Sequence, residues 1–377
     1  MKNHFLLAGI LVLILSACST GKKALQKGDY FSAVTKAVER LKTSPDNKNA
    51  TEVLKEGYPM TLEWSQEEMD LILSSNNQFK WEQAVGLMQQ VNQLADLIRA
   101  TPAARKIVTD PKNYSSELNM AFEKAAEERY NAGVAELGFN TRESARKAFD
   151  HFQKTDQLIS NYKNVRELIA EAKDIATLRV VVQAIPVNTQ KYRLSSEFFY
   201  NQVFEYLNNQ FRPSGFVSFY SPGQAEKAGL MQPDFVVDME FFDFSVGNLV
   251  RNEKEENVEK QVKIESRDTT RIEYKKYTAK LKTYTDQVIS AGSLRVRIYN
   301  ASTDKLMTDE IVPGSFTWIN EYAIFAGDKE ALDNRQLELT KRKTLPLPPE
   351  QDLFIELTKP IYNQVTQNLN RFFRKYN

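Results

Sequence analysis

Asp234-Phe235-Val236-Val237-Asp238-Met239-Glu240-Phe241-Phe242-Asp243-Phe244 is the stretch on which the fold of this chain turns. Phe235, Val237, Met239 and Phe241 alternate with Val236, Asp238, Glu240 and Phe242, and a period of two places the first set on one face of a strand. Upstream, Leu178-Arg179-Val180-Val181-Val182-Gln183-Ala184-Ile185-Pro186 is β-branched and closes at Pro, which is a strand signal. Leu194, Phe198, Phe199, Val203, Leu207 and Phe211 follow at helical spacing. Phe216 to Tyr220 is a short strand, Ser221-Pro222-Gly223 turns the chain, and Gln224 to Leu230 suits a short helix.

Downstream, residues 251–276 are strongly charged, opening Arg251-Asn252-Glu253-Lys254-Glu255-Glu256. They read as an exposed loop entering a strand from Thr270 to Thr285. Leu294, Val296 and Ile298 alternate with Arg295, Arg297 and Tyr299, Asn300 to Lys305 is a hairpin turn, and Met307 to Val312 returns. Leu345-Pro346-Leu347-Pro348-Pro349 is a stiff, extended connection. Leu353, Leu357, Ile361, Val365, Leu369 and Phe372 then mark a long amphipathic terminal helix, with Pro360 as a candidate kink.

The pattern before Leu178 is helical. Leu118, Phe122, Ala125, Ala126, Tyr130, Val134 and Leu137 recur at three and four, as do Met88, Val91, Leu94, Ala95 and Ile98, and Val165, Leu168, Ile169, Ala172 and Ile175. Such stripes are core faces. Thr101-Pro102 and Asp110-Pro111 separate helices, and Tyr114-Ser115-Ser116-Glu117 is a helix entry. Gly28-Asp29-Tyr30 with Ala33, Ala37, Leu41 and Pro45 resembles the second helix of a tetratricopeptide repeat. Weaker echoes are Ala148, Phe152 and Ser160-Asn161-Tyr162, and Trp81 with Ala84 and Met88. Alanines 33, 84 and 148 stand 51 and 64 residues apart rather than about 34, so the expectation is an irregular helical-hairpin array.

Composition narrows the function. The 377 residues carry 50 Lys+Arg against 49 Asp+Glu, which leaves no basic footprint for nucleic acid. There is one Cys, Cys18, and there are two His, His4 and His151, so neither a disulfide framework nor a Cys/His zinc site is expected, and no cofactor motif occurs. His151 lies on the Ala148–Phe152 helix without a Ser or Cys partner in the pattern and reads as a helix-surface or interface residue. Glu67-Glu68 with Asp70, Glu127-Glu128 and Glu255-Glu256 are the carboxylate clusters. Neighbours on a helix point to different sides, so they read as solvated faces rather than as a hydrolytic pair. Arg371, Arg374 and Lys375 complement the dipole of the last helix, and Gly133, Gly138 and Gly215 read as turns or close packing.

The chain opens Met1-Lys2-Asn3-His4 and runs apolar from Phe5 to Leu15, the n- and h-regions of an export signal. The run falls short of the about 20 residues that span a bilayer. Leu15-Ser16-Ala17-Cys18 then resembles the bacterial lipobox. That resemblance implies cleavage before Cys18, diacylglycerol on its thiol and acylation of the new amino group. Ser at position 19 implies outer-membrane sorting, with the protein facing the periplasm. Removing 1–17 takes Lys2 and His4 and leaves 49 basic and 49 acidic residues, with His151 the only imidazole.

The expected organisation is a signal peptide 1–17, a TPR-like helical domain 18–177 and an α/β domain 178–377, an α+β two-domain chain. Its second domain would be a sandwich of a mixed sheet with a long terminal helix. That domain resembles the one shared by the curli-secretion lipoprotein, the lipoprotein activators of penicillin-binding proteins and the N-terminal domain of the Tol-system propeller protein. The resemblance rests on three features and covers about 180–377. They are the 234–244 strand after a short helix, the 294–300 strand turning through Ser302-Thr303-Asp304 into Met307–Val312, and the closing helix. The charged segment 251–267 and Trp318–Arg342 depart from a minimal version. The resemblance implies a non-catalytic domain that binds other cell-envelope proteins. A membrane pore is disfavoured, because Ile272 to Thr285 breaks its apolar alternation at Lys275-Lys276. The alternatives are a carboxylate-dependent cell-wall hydrolase and a subunit of an oligomeric secretion assembly.

Overall fold

A computed structural model describes residues 21–186, 193–212, 215–264 and 273–376. The chain divides between Ala176 and Thr177 into two compact units. The fold class is α+β: a helical N-terminal part precedes a five-stranded mixed sheet with a C-terminal helix.

The first unit runs α1 (Lys22–Gln26), α2 (Tyr30–Thr43), α3 (Lys48–Ser74), α4 (Lys80–Ala100), α5 (Pro102–Ile107), α6 (Ser115–Leu137), α7 (Arg142–Leu158) and α8 (Val165–Ala176). The Gly28-Asp29-Tyr30 turn sets the pattern. Gly28 takes φ 76°, open to glycine at no steric cost, and the Asp29 side chain caps α2 by accepting the Ser32 N–H. Ala33, Ala37, Ala84 and Ala148 are fully buried, so the helices meet over small residues. Core clusters form in succession along the array: α2 with α3 and α4, then α3 with α4 and α6, then α7 with α8. The α4 stripe of Met88, Val91, Leu94, Ala95 and Ile98 is buried throughout. The α6 stripe departs from expectation at its end. Val134 is 45 % exposed, and the buried position is its neighbour Gly133, where a Cβ would come within 2.5 Å of the Phe152 ring.

The second unit runs β1 (Leu178–Val182), α9 (Arg193–Phe211), β2 (Val217–Tyr220), α10 (Pro222–Lys227), β3 (Phe235–Ile264), β4 (Glu273–Asn300), β5 (Lys305–Gly327), α11 (Asn334–Lys341) and α12 (Glu350–Arg374). The sheet order is β2-β1-β3-β4-β5, with β1 parallel to β2 and β3 and the remaining pairs antiparallel. Phe235, Val237, Met239 and Phe241 share one core with Leu294, Val296 and Ile298 of β4 and with α9 and α12. Both long helices therefore cover the same face of the sheet. Gly314 makes that possible under α12, since a Cβ there would meet the Leu357 carbonyl at 2.7 Å. α12 continues through Pro360 as one helix.

Residues 251–264 correct the sequence reading: they are not a loop but the outer half of β3. β4 is likewise one strand of 28 residues instead of two. The physical reason is cross-strand pairing of opposite charges. Lys280 meets Glu255 at 2.5 Å, Lys282 meets Glu253 at 2.7 Å and Lys276 meets Glu259 at 2.8 Å. β5 also runs on past Val312 to Gly327, through the segment that the sequence left unassigned. At the far end, α11 and the turn before it bury Ala331, Leu332 and Leu339 against Ala279, Leu281 and Ala323.

Candidate functional site

Cys18 lies outside the described residues. Of the other residues singled out from sequence, His151 has the most built surroundings. Arg129 on α6 reaches between α4 and α7. Its Nε is 2.6 Å from Glu82 Oε2, its guanidinium carbon stands 3.5 Å from the centre of the Phe79 ring, and its Nη1 is 3.3 Å from His151 Nδ1. A guanidinium only donates, so Nδ1 accepts and the imidazole is neutral with its proton on Nε2. Burial, and then the Arg129 charge, push the His151 pKa below its usual value. Phe79, whose ring also lies 5.3 Å from that of His151, sits at φ 60°, a left-handed position uncommon for a bulky residue. These contacts tie three helices together. A nucleophile is not among them.

The carboxylate clusters come apart. On α3, Asp70 accepts from Gln66 Nε2 at 3.0 Å, while Glu67 is exposed. On α6, Glu127 pairs with Lys124, whereas Glu128 accepts the Trp81 N–H at the start of α4. Burial raises the Glu128 pKa, and that backbone hydrogen bond opposes the rise. On β3, Glu255 and Glu256 are successive strand residues and so face opposite ways, Glu255 to Lys280 and Glu256 to Lys254. Among the described residues no three His, Cys, Asp or Glu side chains converge to hold a metal, and no helix is long and apolar enough to cross a membrane.

What the structure brings together, and sequence reading missed, is on the sheet. On the face away from α9 and α12, Arg297 bridges Asp238 at 2.5 Å and Glu240 at 3.3 Å, and Arg295 holds Asp309 through two bonds of 2.7 and 2.5 Å. Beside this ladder Ile311 is 60 % exposed, and further along β5 Ile319 is 55 % exposed. Asp286 on β4 is buried on the other face and takes a two-pronged contact from Arg251, which lowers its pKa. The pair is 35 residues apart in sequence, so only the β3–β4 register reveals it. β2 and β5 are the two edges of the sheet.

No family model matches the chain, and no curated protein matches it. Among solved structures, it is similar to a neuraminyllactose-binding hemagglutinin homologue from Helicobacter pylori at 14 % identity. That alignment covers 53 % of this chain and 90 % of the other, with a TM-score of 0.29. It is also similar to a hypothetical protein from Chlamydia trachomatis at 13 % identity, over 51 % of this chain and 96 % of the other, with a TM-score of 0.21.

Proposed function

We propose that this protein is a lipid-anchored, periplasm-facing component of the cell envelope that docks and regulates other envelope proteins. The observation that carries the reading is the uncovered face of the inner half of the sheet, short of the outer end where α11 packs. α9 and α12 share one face there, so the opposite face, with its Arg–carboxylate ladder and exposed isoleucines, is presented outward together with the β5 edge. Surfaces that mix ion-pairable groups with apolar side chains and free strand edges suit protein partners. The dispersal of the carboxylate clusters into separate pairs and caps does not favour a hydrolase. The anchor rests on the Leu15-Ser16-Ala17-Cys18 motif behind its apolar run.

Two experiments test this. Cys18→Ala is expected to move the protein from the membrane fraction to the soluble one, and unchanged retention would remove the anchor. A photo-crosslinking residue placed at Ile311 or Ile319 in living cells is expected to capture a defined set of envelope proteins. Capture of lipid and abundant porins alone would count against docking.

A further inference from the structure

The arm formed by β3, β4 and β5 has a strand edge on each side, and the two edges are built differently. Gln183 N–H donates to the Val237 carbonyl, so odd-numbered residues at the start of β3 face β1, while Val236 and Asp238 face Tyr299 and Arg297 of β4. Even-numbered residues of β4 therefore face β5. From Ile298 outward they stand opposite Thr308, Glu310 and Val312, in a register that does not shift again. The odd-numbered residues of β5 from 309 to 321 thus turn their backbone groups away from the sheet. The reach of Gln364 Nε2 from α12 to the Pro313 carbonyl, at 3.3 Å, agrees with that direction. On the opposite edge the same alternation turns Arg251, Glu253, Glu255 and Glu259 outward, and such charges keep other strands away. β5 has no such guard. From Ile311 to Asn320 it carries no charged residue. Of its outward residues, Ile311 and Ile319 are 60 % and 55 % exposed, and Ser315 and Thr317 are exposed as well.

The open run is bounded at both ends. Pro313 has no N–H and its carbonyl is taken by Gln364, while Ala323 is buried under α11. Between them the N–H and C=O groups of Ser315, Thr317 and Ile319 meet no other strand among the described residues. Glu321 closes the run and has no ion-pair partner among the described residues, whereas Asp309 is held by Arg295. Outward backbone groups in a row, β-branched side chains beside them and one unmatched carboxylate at the end define the occupant. We propose that the β5 edge from Ser315 to Glu321 takes up an extended segment of a partner protein, uncharged and β-branched beside Ser315–Ile319 and carrying a basic side chain opposite Glu321. This names the surface and the partner chemistry for the docking role proposed above, and it rests on that reading. A second copy of the chain does not match. Lys305 is the only basic residue of β5, and setting it opposite Glu321 centres the pairing at Pro313, where the N–H is missing and Gln364 lies over the edge.

The test uses the full chain and a fluorescein-labelled synthetic peptide, Lys-Thr-Val-Thr-Val-Thr-Ser, followed by fluorescence anisotropy. Methylating one alternate set of its backbone amides should abolish binding, and methylating the other set should spare it. Thr317→Pro removes an N–H that β4 does not use and places a ring where the segment must pair, so the strand stays in the sheet. It is expected to weaken the peptide about tenfold or more, with unchanged circular dichroism. Replacing the peptide Lys by Gln is expected to weaken binding about threefold, and Glu321→Gln should do the same to the Lys peptide and leave the Gln peptide unchanged. Undiminished binding to a folded Thr317→Pro chain, equal effects of both methylation patterns, or equal binding of the Lys and Gln peptides would each overturn the proposal. Self-association of the chain that Thr317→Pro disperses would overturn it in favour of a second copy as occupant. Envelope partners captured in cells equally well by the Thr317→Pro chain would overturn the edge and keep the docking role. Peptide binding of the expected pattern with no envelope partner captured would do the reverse.

Discussion

His151 is held by a guanidinium that can only donate to it, and its ring rests on Phe79. Protonation would set two donors against each other, and the charges around it, Arg129 and Glu136 from α6, Glu82 from α4 and Asp150 from α7, do not outweigh burial. The sign follows. The folded-state pKa lies below the ordinary value of about 6.5, so the stabilisation is complete above that pH and is lost as pH falls toward the folded value. Thermal melting followed by circular dichroism is expected to drop between pH 7.5 and about 5.5, and His151→Gln is expected to flatten that dependence. Equal slopes for both proteins would place the pH sensitivity elsewhere. Gly133 offers a second test at this scale. Gly133→Ala drives a methyl into the Phe152 ring and should cost about 1–3 kcal/mol, read from urea unfolding. A smaller loss would mean that the ring swings aside.

At the scale of elements, the outer half of the β3–β4 hairpin is the sharpest prediction. Amides between Asn252 and Val262 that point into the ladder are expected to show hydrogen-exchange protection, which a loop would not give. Asp286→Ala should lower the urea midpoint more than Glu253→Ala, because the Asp286 carboxylate is buried and holds Arg251 through two hydrogen bonds, whereas Glu253 and Lys282 are substantially exposed. The Asp286 contribution is present above about pH 4, and it fades as pH falls through its lowered folded-state value. Strand 234–244 was legible because its apolar alternation is local, and so were α4, α9 and α12 as helices, although Phe198 of the α9 stripe is half exposed and Phe373, not Phe372, is the fully buried residue at the end of α12. Residues 251–264 were not, because a run such as Glu253-Lys254-Glu255-Glu256 looks solvated until its partners are known. Those partners lie on β4, and no periodicity in β3 announces them.

At the scale of the molecule, the composition change at Leu178 and the boundary at Ala176/Thr177 fall close together. The mixed sheet with one terminal helix was also readable from element order. That both helices would take one face was not, since β1 and β2 carry apolar residues without fixing which side each helix covers. The second unit has its own continuous core from Leu178 to Phe373. Residues 177–377 expressed alone are therefore expected to unfold cooperatively, with the near-ultraviolet dichroism of a packed aromatic core. A non-cooperative transition would make that core dependent on the first unit.

The long β3–β4 hairpin has a consequence for how this protein can vary. Because faces alternate with a period of two, a single-residue insertion in β4 would swap its buried and exposed sets relative to β3 from that point on. Removing two residues at facing positions from each of β3, β4 and β5 would preserve the pairing on both sides of β4 and shorten the arm by about 7 Å. The irregular stretch between Phe242 and Asn248, where the register already shifts, is the place able to absorb an odd change. Length variation among natural versions of this chain should thus come in even steps along the arm, with odd ones gathered at that stretch.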